Sequence, residues 1–109
     1  VAVIFKETTA TLQSAAAEVY LVPTGSTAQV DDGRVTNNSA SDITVTLWRV
    51  PDGAAPADGN LILKTASCPA GVTTRLSLAG VNLNPGSSLY ALASTGGVGA
   101  FALSTREQS

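Results

Sequence analysis

The chain has 109 residues, enough for one domain with a real hydrophobic core and with little room for a second. Only 13% of them are charged and the net charge is −2, whereas an average soluble domain carries about 25% charged residues. The cations stand singly (Lys6, Arg34, Arg49, Lys64, Arg75, Arg106), which argues against the clustered cations that phosphate contacts need and makes nucleic acid an unexpected partner.

Histidine is absent, which removes the commonest metal ligand and the commonest general acid or base. The single cysteine, Cys68, can form no disulfide within the chain and cannot build a zinc site alone. No apolar run approaches the ~20 residues of a membrane-spanning helix, so no membrane partner is expected. The apolar start Val1–Phe5 is too short for a signal-peptide core and has no basic leader. A surface this poor in charge is covered largely by Ser, Thr, Asn, Gly and Ala, and it suits a subunit whose neighbours shield it.

In chain order, segment 1–17 is expected to supply either an edge strand or an arm laid onto a neighbour, with Phe5 as its candidate anchor. Ala15-Ala16-Ala17-Glu18 favours helix locally for one turn at most, because a strand pattern follows at once in Val19-Tyr20-Leu21-Val22. After a turn at Pro23-Thr24-Gly25, Thr27 to Val35 predicts a strand bent or bulged around Asp31-Asp32-Gly33. A turn at Asn37-Asn38-Ser39 leads to Ile43–Val50, where Ile43, Val45 and Leu47 mark the core face. Trp48 falls on the opposite face with Thr44 and Thr46, which makes it either an interface anchor or a second-face core residue.

Pro51-Asp52-Gly53 opens the longest irregular stretch, Asp52 to Asn60, which is expected on the surface. Leu61–Lys64 reads as a short strand, and Cys68, before Pro69, as a structural thiol with no basic neighbour to lower its pKa. Val72 to Leu78 alternates cleanly, placing Val72, Thr74, Leu76 and Leu78 inward. Beyond the turn Asn84-Pro85-Gly86, Leu89, Ala91 and Ala93 alternate, and so do Phe101 and Leu103. Gly96-Gly97-Val98-Gly99 has the glycine content of a phosphate cradle, but a strand rather than a helix follows, so a hairpin turn is expected. Short strands at this spacing, punctuated by Pro and Gly, predict an all-β chain over 1–109: a single-domain antiparallel β-sandwich, jelly-roll-like or Ig-like, with about seven to nine short strands.

No catalytic, cofactor or metal residue is expected. A nucleophile would lack a histidine base. The carboxylates (Glu7, Glu18, Asp31, Asp32, Asp42, Asp52, Asp58, Glu107) sit mostly in turn contexts, where they cap local amides. A glycosidase would pair such acids with several aromatic rings, and aromatics make up 5% of this chain. Asp31-Asp32 and the Asp52/Asp58 loop offer oxygens to calcium, but without the alternating spacing of a dedicated calcium loop.

Val19-Tyr20-Leu21-Val22-Pro23-Thr24-Gly25-Ser26-Thr27-Ala28 resembles a Tyr-x-Val-Pro-x-Gly-x-Thr-Ala opening. With Arg34-Val35-Thr36-Asn37, Thr44–Trp48, Pro69-Ala70-Gly71 and Leu83–Leu89 following in order, the stretch from Val19 to about Thr95 is similar to small β-sandwich proteins encoded among tailed-bacteriophage structural genes. The resemblance implies a non-enzymatic virion protein, foremost a head decoration or cement protein that binds and stabilises the phage capsid. Its implied partners are the major capsid protein or other virion proteins and copies of itself. The resemblance leaves open a neck or tail component. A carbohydrate-binding β-sandwich module is the competing class, and it would rest on Trp48 and few other rings.

Overall fold

The computed structural model describes residues 3–108. Nine strands follow one another: β1 (Val3–Leu12), β2 (Ala17–Leu21), β3 (Thr27–Asn37), β4 (Ile43–Val50), β5 (Leu61–Cys68), β6 (Thr73–Leu76), β7 (Asn82–Leu83), β8 (Ser88–Ala93) and β9 (Gly99–Gln108). They form two antiparallel sheets, one ordered β1-β9-β3-β6 with β7 also on β3, the other β2-β8-β4-β5. Leaving aside the two-residue β7, the first strand pairs with the last, the second with the next to last, and so inward to β4 with β5. That is a long hairpin rolled into two layers, the jelly-roll topology, so of the two expected sandwich types the Ig-like one is not adopted.

The core lies between the inner faces, and period-two alternation selects it. Ile43, Val45 and Leu47 from β4 and Leu89, Ala91 and Ala93 from β8 face Val30 and Val35 from β3 and Phe101 and Leu103 from β9. Each fully buried Leu, Val or Phe side chain contributes about 1.5–3 kcal/mol relative to exposure. The β3 bulge falls where the acidic pair predicts it: the register with β9 shifts between Val30 and Asp32. There Gly33 is buried so tightly that an added Cβ would lie 2.5 Å from Leu78 Cδ1.

The turn at Asn84-Pro85-Gly86 also has a clear physical cause. Ser87 N–H donates to Asn84 C=O at 3.0 Å, Pro85 fixes φ ahead of Gly86, and Gly86 takes φ of +77°. Pro followed by a residue at positive φ is the requirement of a type II turn, which glycine meets without strain.

Three expectations need correcting. Ala15–Glu18 forms no helical turn, because β2 already begins at Ala17, and Asp58–Asn60 is the helical turn found among the described residues, a 3-10 one. Val72 is not in the core but half exposed: β6 starts at Thr73, and Val72 lies in the turn before it, where its N–H meets Pro69 C=O. Gly96–Gly99 is not a hairpin turn: β8 and β9 belong to different sheets, so this loop carries the chain from one layer to the other.

Candidate functional site

The concavities among the described residues are open depressions, such as the one lined by Asp31, Asp32, Arg75, Leu76, Ser77 and Ala79. The acids there are already engaged. Asp32 takes Arg34 Nε at 2.8 Å and Arg75 Nε at 3.3 Å, and Asp31 takes Arg106 Nε at 3.1 Å. The Arg34 hydrogen bond holds the Asp32 carboxyl below the usual carboxylate range. Among the described residues no group of three metal-ligating side chains converges, and the Asp52 side chain packs against Gly86.

Two surfaces stand out instead. The first is the start of β1. Paired residues on β1 and β9 share a face, so Ile4 and Lys6 lie on the inner side with Glu107 and Thr105, while Val3, Phe5 and Glu7 lie on the outer side with Gln108, Arg106 and Ser104. Phe5 is 73% exposed, and Val3 and Ile4 are each more than half exposed. Its cross-strand neighbour Arg106 leaves the ring bare by turning to Asp31 at 3.1 Å and to Gln29 Oε1 at 2.6 Å. Val3 also borders a depression shared with Thr27, Gln29, Asn82 and Arg106.

β1 is anchored at this end by a polar cluster that strand periodicity in the sequence could have flagged. The inward series Gly99, Phe101, Leu103 continues through Thr105 to Glu107, so Glu107 is not a turn acid but a strand residue 4% exposed. Lys6 Nζ lies 3.1 Å from Glu107 Oε1, and the Tyr20 hydroxyl, from the opposite sheet, donates to Glu107 Oε2. A buried carboxylate is tolerable only with such partners. Burial, reinforced by the hydrogen bond to Glu107, pushes the Tyr20 pKa up to about 12.

The second surface is the outer face of the β2-β8-β4-β5 sheet, where register places Glu18, Tyr90, Trp48 and Leu61 in one row across the strands. Trp48 is therefore outside the inter-sheet core, as its position opposite Ile43, Val45 and Leu47 requires. It is half-buried, flanked by Tyr90 and Leu61 rather than standing free. Phe5 and Trp48 do not converge: they lie on the outer faces of different sheets. Cys68 is fully buried at the end of β5, and desolvation raises its thiol pKa.

The fold is that of a jelly-roll β-sandwich whose distinctive surface features are apolar strands rather than a pocket. No family model matches the chain, and no curated protein sequence does. Among solved structures it is similar to a chain of the Bacillus endospore appendages, which form a novel family of disulfide-linked pili. The TM-score is 0.55 and the identity 15%, with 95% of this chain and 86% of that chain covered. At that identity the likeness is one of fold.

Proposed function

We propose that this chain is a non-enzymatic structural subunit that docks onto neighbours in a repeating assembly, and that the assembly is a tailed-phage head, which it decorates. The observation that carries the structural role is the β1 edge, ten residues long and free of bulges, with three successive apolar side chains exposed at its start. Soluble β proteins normally blunt such edges with bulges, charge or covering loops, because an open edge recruits another strand. A jelly-roll body with short connections is rigid and inert, and many weak edge contacts repeated over a symmetric shell give firm retention. The phage-head assignment rests on the resemblance of the Val19–Ala28 segment and the turns that follow it.

Mass spectrometry of purified particles tests it: the chain should appear in stoichiometric amounts, close to the number of capsid subunits. A few copies per particle would move it to the neck or tail, and absence would remove the virion role. The second reading is a fibre subunit of pilus type, favoured by the fold likeness. A disulfide through Cys68 would need that thiol to be reachable, and it is buried. Electron microscopy of the concentrated chain alone, with and without reductant, separates the two readings.

A further inference from the structure

We propose that the occupant of the β1 edge is a second copy of this chain, paired antiparallel about a two-fold axis perpendicular to the sheet, with Phe5 opposite the partner's Phe5. The inference deepens the assembly reading above and rests on it.

Among the described edge strands β1 alone is both long and regular. All ten of its residues pair with β9 without a register shift. β2 has five residues and a shift between Glu18 and Tyr20. β5 shifts twice against β4 and carries Thr65 at φ +50°, a left-handed value that a β-branched residue adopts only under strain. β6 has four residues and β7 two. The unpaired N–H and C=O groups along the outer side of β1 call for an extended strand, and the side chains decide which one.

β1 is complementary to itself when Phe5 faces the partner's Phe5, whereas one step toward the strand start would set Ile4 against the partner's Ile4 and pair only Val3 to Phe5 of each β1. A two-fold axis normal to the sheet keeps every residue on its own face, so only residues of the same face can oppose each other. With Phe5 opposite the partner's Phe5, Ile4 opposes the partner's Lys6 and Val3 the partner's Glu7. This brings Val3, Ile4 and Phe5 of both copies into the seam, adds an aromatic pair, and runs each Ile4 against the aliphatic stem of a lysine. Lys6 keeps its charge partner, because Glu107 holds its ammonium at 3.1 Å from within the same copy. One step further toward Leu12, Lys6 would face the partner's Lys6, and a second step would set Glu7 against the partner's Glu7. Like charges directly opposed are destabilising. A third step sets Thr8 against the partner's Thr8, which wastes Phe5 on a threonine and leaves Val3 opposite no β1 residue, since the strand ends at Leu12. The favoured register joins the two β1-β9-β3-β6 sheets into one continuous sheet across the dimer.

Sedimentation of the purified chain should give a dimer. Phe5→Lys should halve the mass while leaving the far-ultraviolet circular dichroism unchanged, and Val72→Lys, at an exposed apolar site off this edge, should stay dimeric. A short bismaleimide should link Phe5→Cys chains to each other and leave Thr8→Cys chains unlinked, Cys68 being out of reach in both. A monomeric wild-type chain, a Phe5→Lys dimer, or linkage of Thr8→Cys in place of Phe5→Cys would overturn the pairing. A monomer that is nonetheless stoichiometric on particles would overturn the pairing and spare the assembly role, whereas a dimer absent from every assembly would do the reverse.

Discussion

The Tyr20 hydroxyl on β2 donates to the Glu107 carboxylate on β9, a bond that crosses from one sheet to the other beneath the exposed start of β1. Lys6 closes the same carboxylate from β1, so three strands meet at one buried charge. Removing one partner of a buried charge costs more than the bond itself, because the desolvated carboxylate stays behind. Tyr20→Phe should therefore lower the unfolding free energy by about 2 kcal/mol near neutral pH. The pH dependence follows from the raised Tyr20 pKa. The folded state favours the neutral phenol, so this contribution is complete below the ordinary tyrosine value of 10.0 and is lost as pH rises through about 12. Denaturant melts across that alkaline range should show a fall in the parent chain that is flattened in Tyr20→Phe.

Asn37 is a fully buried polar side chain with its hydrogen-bonding capacity filled. Its Nδ2 donates to Ser41 C=O at 2.8 Å and Cys68 C=O at 2.9 Å, while its Oδ1 accepts from Ser39 N–H at 3.1 Å and Ser39 Oγ at 2.7 Å. An amide offers two donors and two acceptor sites, and all are used. Asn37→Ala leaves the buried Cys68 carbonyl without this partner, removes three part-buried hydrogen bonds to Ser39 and Ser41, and should cost about 3 kcal/mol by equilibrium unfolding. Asn37→Asp, which turns donors into acceptors facing two carbonyls, should be no better.

Gly33 and Leu78 occupy a space that fits only one of them at full size. A methyl group at Gly33 would sit 2.5 Å from Leu78 Cδ1, and Leu78 is itself fully buried, so its end would have to shift within packed surroundings. Gly33→Ala should destabilise by about 1–3 kcal/mol through overpacking. In a Leu78→Val background, where that terminal atom is gone, the same change should cost clearly less. A double-mutant cycle reads this coupling directly.

Cys68 is fully buried and its thiol is pushed toward the neutral form by desolvation. Only the thiolate attacks, so the folded chain should resist alkylation and react fully once denatured. Timed labelling with a thiol reagent in and out of denaturant checks this. Rapid labelling of the folded chain would show that the end of β5 opens readily.

The strand faces were legible wherever apolar residues alternate over several positions, as in Ile43–Leu47, Leu89–Ala93 and Phe101–Leu103, because the two-residue period of a strand maps directly onto inside and outside. The bulge at Asp31-Asp32-Gly33 was legible too, since two acids before a glycine interrupt that period. Val72 continued the pattern of β6 by sequence but lies in the turn before that strand, half exposed. Glu107 escaped notice for the opposite reason: its charge hid a position that alternation assigns to the interior.

By itself the amino-acid order determined that this chain would be a small two-layer β body, because alternation and Pro/Gly turns are local properties written into successive residues. It also marked Phe5 and Trp48 as side chains without an obvious place in the core. Which strands neighbour each other was decided only by the folded arrangement. The pairing of first with last strand, the crossing made by Gly96–Gly99, the meeting of Lys6, Tyr20 and Glu107, and the open flank of β1 all join residues far apart in the chain. Such contacts depend on how two sheets close over one another, and no short stretch of sequence carries that information.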